Sequence, residues 1–118
     1  MLSAAGKKVF LACGATDGRK SINGLSAIVQ SSFNLDPFDV ALFVFCNKNR
    51  GRLKILEWGG DGFWLHLKRL DRGHFKWPES TEEEKTMALS EEELTHLLGS
   101  PGLEQKLRRK QTAEKITI

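Results

Sequence analysis

The chain has 118 residues, of which 40% are hydrophobic and 28% charged, with a net charge of +3. This length and composition exclude a two-domain architecture and a wholly disordered chain. The apolar runs are far shorter than the roughly 18 residues of a membrane span, and the N-terminus has no hydrophobic signal core. We therefore expect a soluble cytoplasmic protein whose two cysteines stay reduced. We predict one globular domain over residues 1–103, followed by a disordered basic tail over residues 104–118.

The charge of the chain is segregated along the sequence. Residues 48–76 carry a net charge of +5, residues 77–103 carry −6, and the tail carries +3. A basic middle segment beside an acidic one indicates a surface that faces a polyanion. The alternative is that these charges only solvate a sheet and a helix.

The first half of the chain predicts two strands and a helix. A short apolar run predicts a strand over residues 8–12, and a turn rich in glycine follows it. Apolar residues then recur at helical spacing, which predicts an amphipathic helix over residues 19–33, capped by Thr16 or Asp17. A continuous apolar run over residues 41–46 predicts a strand buried on both faces.

The next segment predicts a hairpin formed by residues 52–58 and 62–69. We expect a three-residue loop, because a two-residue loop would place Leu53 opposite Lys68. A second turn at residues 71–73 is expected to bring Lys76 opposite Lys68. The other opposite pairs of this register are Leu56 with Trp64, Lys54 with His66, and Arg52 with Lys68.

This register predicts a sheet with two unlike faces. The apolar face, to be covered by the helix over residues 19–33, comprises Leu53, Ile55, Phe63, Leu65, Leu67, Phe75 and Trp77. The basic face comprises Arg52, Lys54, His66, Lys68, His74 and Lys76, with Leu56, Trp58 and Trp64 at one end. Like charges in opposite positions destabilise a sheet, and a bound anion would relieve that repulsion. Trp64 offers a plane on which a base could stack.

The segment after residue 89 carries the signals of a helix over residues 90–98. Ser90 and Glu93 have the spacing of a capping box, and Leu89 and Leu94 that of a hydrophobic staple. Gly99 is typical of a helix stop.

The motifs that could carry catalysis fail on spacing. Residues 14–21 resemble a phosphate loop, but only three residues separate the glycines and Arg19 intervenes before Lys20. This turn could still hold a single phosphate. The cysteines and histidines share no metal-ligand spacing, and no nucleophile has an evident base. We therefore predict no enzymatic activity, catalytic residue, cofactor, metal or small-molecule substrate.

Several motifs together resemble a known family. They are LACGATDGRK at residues 11–20, LDPF at 35–38, LFVFCN at 42–47, RLKILEW at 52–58, and GHFKWP at 73–78. The series is similar to the TnpB-type accessory protein, the second open reading frame of the insertion-sequence-sixty-six class of bacterial transposons. The resemblance covers about residues 8–78. It implies a role in transposition beside a separate, larger transposase, and it supplies no catalytic residue.

Together these observations predict an α+β fold with a mostly antiparallel sheet of about four strands, an amphipathic helix on its apolar face and a C-terminal helix. The predicted function is a non-enzymatic accessory of transposition that binds duplex DNA, the transposase, or both through the basic face. The alternative is a protein adaptor without DNA contact that uses Leu56, Trp58 and Trp64. The predicted nucleic-acid-binding residues are Arg19, Lys20, Arg52, Lys54, Trp64, His66, Lys68 and Lys76.

Overall fold

The computed structural model describes residues 2–99, and they form the α+β fold that the sequence predicts. The predicted tail over residues 104–118 lies outside the described residues. The strands are β1 (Lys8–Ala12), β2 (Ala41–Cys46), β3 (Arg52–Trp58), β4 (Phe63–Arg69) and β5 (Thr86–Leu89), and the helices are α1 (Ile22–Ala27) and α2 (Glu91–Leu98).

The five strands form one sheet in the order β4-β3-β2-β1-β5. Among the strands of residues 2–99, only β1 and β2 run parallel, joined by the helical crossover, and the other neighbouring strands are antiparallel. The mostly antiparallel sheet is therefore confirmed. The strand β5 was not predicted, and it occupies the edge beside β1. The expected strand around Lys76 does not form. Residues 70–78 instead run irregularly from β4 towards β1.

The helix α1 is shorter than predicted and continues as a π-helical turn over Ile28–Ser32. Leu25 and Val29 are its buried residues. The segment ends at Asn34, whose φ of 54° lies in the left-handed region that asparagine tolerates. The predicted cap is wrong, since Ser21 occupies the N-cap without a side-chain hydrogen bond.

The register of the β3–β4 hairpin differs by one residue from the predicted register. Trp58 lies opposite Phe63, Leu53 opposite Lys68, and Arg52 opposite Arg69. The connection is a tight turn in which the Gly59 amide donates to the Gly62 carbonyl at 2.7 Å. Gly60 has a φ of 94°, in the left-handed region that glycine adopts without strain.

The one-residue shift exchanges the faces of β4, because successive side chains of a strand point to opposite sides. The sheet is covered on both sides. The helix face, packed against α1, buries Ala12, Ala41, Phe43, Phe45 and Leu56. The second face buries Val9, Leu11, Leu42, Val44, Cys46, Leu53 and Ile55 beneath Leu94 of α2 and beneath Phe75 and Trp77 of the segment before β5.

The predicted apolar face is therefore wrong in composition. Leu53 and Ile55 do share the second face, but α2 and the segment that carries Phe75 and Trp77 cover it rather than the first helix. The three apolar residues of β4 lie on the helix face, opposite Trp58, Leu56 and Lys54. They are Phe63, Leu65 and Leu67.

The C-terminal helix agrees with its prediction. Ser90 accepts a hydrogen bond from the Glu93 amide at 3.0 Å, and the Glu93 carboxylate accepts one from the Ser90 amide at 2.8 Å. Both halves of the capping box are thus present. Leu94 packs into the core of the second face, which fixes α2 across the sheet.

Candidate nucleic-acid interface

The structure does not bring the predicted basic residues onto one face. Arg52 and Lys54 lie on the helix face, whereas His66 and Lys68 lie on the second face, opposite Ile55 and Leu53. Trp64 shares the second face. Lys76 is exposed in the irregular segment between two buried aromatic residues. The prediction of a single basic face therefore fails, and the reason is the hairpin register.

The ionisable residues of the second face have partners within the fold. Lys68 extends its half-buried stem over the sheet and donates to the Leu98 carbonyl at the end of α2. His66 lies 2.9 Å from Glu57, and Lys7 forms an ion pair with the same carboxylate. Burial alone would raise the pKa of Glu57, but the bonds from Lys7 and His66 outweigh it and lower that pKa. These charges therefore stabilise the fold.

Trp64 is distant from the basic residues of the helix face. Its indole is 63% exposed. The ring stacks against His66 with 6.3 Å between the ring centroids. A base stacked on Trp64 would thus lie on the opposite side of the sheet from Arg52.

A second arrangement of positive charge appears at the end of the sheet where β1 and β2 finish. Six residues form this basic cluster, and four elements supply them: the β1–α1 loop, the turn after β2, the start of β3 and the end of β4. The members of the basic cluster are Arg19, Lys20, Lys48, Arg52, Lys54 and Arg69.

The backbone fixes the members of the basic cluster relative to one another. The Lys54 Nζ donates to the carbonyl oxygens of Gly18 at 2.8 Å and Lys20 at 2.7 Å, and so joins β3 to the β1–α1 loop. Arg52 lies directly opposite Arg69 in the ladder. Because alternate residues share a face, Arg52, Lys54 and Arg69 all lie on the helix face.

Two acidic residues lie among these six cations. Arg19 pairs with Asp17 at 2.9 Å, and its side-chain and backbone hydrogen bonds lower the pKa of Asp17 to about 2. Arg69 lies 3.9 Å from Asp71. Within residues 2–99, the side chains of Lys20, Lys48 and Arg52 have neither a hydrogen bond nor an ion pair. The cluster therefore keeps an excess of positive charge.

An open cleft of about 390 Å³ separates the β1–α1 loop from the turn after β2. Thr16, Asp17, Arg19, Lys48 and Asn49 are among its lining residues. The Thr16 amide donates to the Cys46 carbonyl at 2.8 Å, which holds the loop against the end of β2. The cleft is thus lined by two cationic side chains, those of Arg19 and Lys48.

Sequence reasoning included four of the six cluster members and missed Lys48 and Arg69. Arg69 was missed because its place opposite Arg52 depends on a two-residue turn. The sequence contained that signal, since Gly60-Asp61 is a favoured pair for such turns. Lys48 lies in the exposed turn after β2 and carries no signal beyond its charge.

The predicted apolar patch for a protein partner is also divided. Leu56 is fully buried. Trp58 packs edge-on against Phe38 and Phe63, with ring centroids 4.9 Å away in both cases. Phe38 itself is 54% exposed, so the apolar surface at this end of the sheet centres on Phe38.

The described residues offer little for nucleophilic or metal chemistry. Burial raises the pKa of the Cys46 thiol to about 11, and burial followed by the charge of Glu84 raises that of Cys13. Within residues 2–99, no group of three or more potential ligands could hold a metal ion. In the same range no helix has the length and apolarity to cross a membrane.

Comparisons with known proteins point to one family. A family model described as IS66 Orf2 like protein matches residues 7–108. The chain is 40% identical over 91 residues to the uncharacterized protein y4hO of Sinorhizobium fredii (strain NBRC 101917 / NGR234), with 77% of each chain covered. It is 37% identical over 73 residues to the uncharacterized protein y4jC of the same strain, with 62% of each covered. No solved structure matches the chain.

The family match extends further than the motifs predicted. The resemblance was expected to end near residue 78, whereas the match to the family model continues to residue 108 and so includes β5 and α2. These two elements therefore belong to the family's common region.

Proposed function

This chain belongs to the IS66 Orf2-like family, and from that premise we propose that it is a non-enzymatic accessory protein of DNA transposition that binds duplex DNA through the basic cluster. The family connects the chain with an insertion sequence. In this proposal the protein acts in the bacterial cytoplasm beside the transposase of the same element, which performs the strand-transfer chemistry.

The observation that carries the DNA proposal is the placement of Arg52 opposite Arg69. Like charges directly opposite in a ladder destabilise it by a few tenths of a kcal/mol to about 1 kcal/mol. Asp71 is too far from Arg69, at 3.9 Å, for a hydrogen bond. A phosphate between the two guanidinium groups would accept bonds from both and relieve their repulsion. Lys20 and Lys48 extend the same positive surface towards the cleft.

The absence of catalysis in this proposal rests on the chemistry of the candidate nucleophiles. A thiol whose pKa is about 11 is almost entirely protonated at neutral pH, so Cys46 is a poor nucleophile. Cys13 has its pKa raised in the same direction. Within residues 2–99, no group of three or more His, Cys, Asp or Glu side chains could hold the metal ion that metal-dependent cleavage of DNA would need.

The proposal is tested by titrating salt during binding of the protein to a fluorescent duplex. Each lost phosphate contact flattens the logarithmic salt slope by about 0.9. The variant Arg52→Ala with Arg69→Ala should therefore reduce that slope by nearly two units. Lys8→Ala with Lys85→Ala is the matched control, because it removes the same charge away from the cluster.

Equal slopes for the two double variants would show that only net charge matters and would refute the basic cluster as the site. Terminal-repeat and random duplexes should be compared, because phosphate contacts alone give no sequence preference. A protein that binds neither duplex at low salt would favour the adaptor function instead. The exposed Phe38 beside Trp58 and Phe63 is the surface that supports this second candidate.

A further inference from the structure

The strand β4 forms one outer edge of the sheet, and its outward backbone groups can be identified. The Gly59 amide bonds to the Gly62 carbonyl, and the Leu70 amide bonds to the Gly51 carbonyl. In an antiparallel ladder, hydrogen-bonded pairs alternate with non-bonded pairs. The even-numbered residues of β4 therefore bond to β3, and the odd-numbered ones direct their N–H and C=O groups outwards.

This edge has charged side chains only at its end, at Lys68 and Arg69, and it lacks the other features that usually protect an exposed strand. Proteins shorten edge strands, interrupt them with bulges or place proline in them. The β4 strand has seven residues, contains neither proline nor glycine, and pairs with β3 along its whole length without a bulge. The opposite edge strand, β5, has only four residues.

Two large hydrophobic side chains of β4 are also exposed, one on each face of the sheet. Trp64 on the second face is 63% exposed, and Leu67 on the helix face is 62% exposed. Within residues 2–99, β4 pairs only with β3, and the chain leaves it towards the second face, where the Phe75 amide bonds to the Arg50 carbonyl. The described chain therefore leaves the outer side of β4 open.

We propose that β4 pairs antiparallel with β4 of a second copy of this chain, around a two-fold axis at His66. The two five-stranded sheets then join into one continuous sheet. His66 is the middle residue of Phe63–Arg69, so this register pairs the strand over its whole length. The opposite pairs are Phe63 with Arg69, Trp64 with Lys68, Leu65 with Leu67, and His66 with His66, each with one residue from either copy.

The side chains of β4 support an antiparallel rather than a parallel pair. Both aromatic residues lie at the start of the strand, and both cations lie at its end. Antiparallel pairing places each cation against an aromatic ring, which attracts it. It also places Leu67 against Leu65 and covers exposed apolar surface. Parallel pairing would put Lys68 beside its own copy and would be repulsive.

The register also satisfies the backbone. Only odd-numbered residues have outward N–H and C=O groups, so a hydrogen-bonded pair between copies must join two odd-numbered residues. The proposed register does this, because Phe63 pairs with Arg69 and Leu65 with Leu67. His66 then falls in a non-hydrogen-bonded pair, where opposite Cα atoms are about 4.5 Å apart.

The first test measures the mass of the full chain in the absence of DNA by sedimentation equilibrium. We expect the wild-type mass to rise with concentration from 13.3 kDa towards twice that value. Leu67→Lys places a charge at the interface and should keep the protein monomeric. Val40→Lys is the matched control, because Val40 is 65% exposed but directly precedes β2, the central strand of the sheet, and so lies away from the β4 edge. This variant should still dimerise.

The second test identifies the register by oxidative crosslinking. His66→Cys places the two thiols opposite each other at a separation within the range of a disulfide, which spans about 4.4–6.8 Å between Cα atoms. Residue 67 of one copy lies opposite residue 65 of the other. The two thiols of Leu67→Cys would therefore be offset by two residues along the strands, too far apart to form a disulfide. We expect covalent dimers of the first variant, and neither the second variant nor the wild type should form them.

Arg69 belongs both to this interface and to the basic cluster, but the mass and the crosslinking are measured without DNA and with Arg69 intact, so the two proposals can fail separately. A wild-type chain that remains at 13.3 kDa at every concentration would overturn the dimer and leave the salt-slope experiment unaffected. A Leu67→Lys variant that still dimerises would overturn it as well, because the association would then arise elsewhere. Equal crosslinking of the two cysteine variants would overturn the two-fold axis at His66.

Discussion

The second face of the sheet and the basic cluster both carry several ionisable side chains, but they differ in where those side chains find partners. On the second face, Lys68 bonds to the end of α2, and His66 and Lys7 both bond to Glu57. In the basic cluster, Arg52 lies opposite another arginine. A charge pattern alone therefore does not identify a binding surface. What matters is whether each charge is already satisfied within the fold.

Replacing Trp77 tests how far the second face stabilises the fold. Trp77 is only 6% exposed, and its Nε1 donates to the Ala12 carbonyl at 2.8 Å. Trp77→Ala should reduce the free energy of unfolding by about 3–5 kcal/mol, because it removes a large core side chain. Urea unfolding followed by circular dichroism measures this loss.

Trp64→Ala is the matched control for Trp77→Ala, since it removes the same side chain from an exposed position of the same face. It should change the unfolding free energy of the monomer by no more than about 0.5 kcal/mol. Equal losses for the two tryptophans would show that the segment before β5 does not stabilise the second face.

The next prediction concerns the thiol of Cys46, which is buried and uncharged beneath the second face. The folded pKa of Cys46, about 11, exceeds its usual value of 9.0, so the folded protein holds the thiol proton more tightly than the unfolded chain does. The resulting stabilisation is complete below pH 9 and is lost as the pH rises towards 11. We expect a loss of about 2 kcal/mol across this range.

Cys46→Ala isolates this contribution from the titration of other groups. The variant should be less stable than the wild type at neutral pH, because it leaves a small cavity. The difference between the two proteins should narrow as the pH rises. A difference that stays constant from pH 8 to about 11 would contradict the assignment to Cys46.

A smaller effect tests the charge network around Glu57. The pKa of Glu57 is lowered in the folded protein, so its stabilisation is present above the usual value of 4.5 and is lost as the pH falls through the folded pKa. Glu57→Gln should cost about 1 kcal/mol at neutral pH, because it weakens the bonds from Lys7 and His66. Thermal melts from pH 7 down to about 3 should show the wild-type and variant stabilities converging.

The elements that were predicted correctly depend on local sequence. The run Ala41–Cys46 and the capping box of Ser90 and Glu93 each carry their signal within a few residues. The register of β4 has no such local signal, because one residue more or less in the loop moves every side chain of the strand to the other face of the sheet. The β5 strand was missed since its four residues follow an acidic stretch and gain their partner only in β1.

The composition of the candidate site also depends on contacts that local sequence does not reveal. The sequence favoured a three-residue loop because the alternative would place Leu53 opposite Lys68. In the structure Leu53 does lie opposite Lys68. Lys68 tolerates this position because its stem covers apolar surface while its amino group reaches the Leu98 carbonyl, thirty residues further along the chain. No local pattern reveals such a contact. Composition therefore predicted the charges of the site, but not which of them remain unsatisfied.

The smallest effect examines the basic cluster itself. Arg52 is exposed and lies opposite Arg69, so Arg52→Gln keeps most of the side chain and removes the repulsion between the two guanidinium groups. The unfolding free energy should stay constant or rise by a few tenths of a kcal/mol, up to about 0.5. Lys54→Met is the contrasting variant, because it keeps the aliphatic stem but loses the bonds to the carbonyls of Gly18 and Lys20.

Lys54→Met should lower the unfolding free energy by about 1 kcal/mol, since the two carbonyls lose their charged donor. Chemical denaturation in low salt gives the clearest comparison, because salt screens the repulsion between exposed arginines. The stability gained by Arg52→Gln should shrink as salt is added, whereas the loss in Lys54→Met should largely persist. If Arg52→Gln instead lost stability at low salt, Arg52 would have a partner within the fold. The basic cluster would then resemble the second face, and its main charge would not be available to a phosphate.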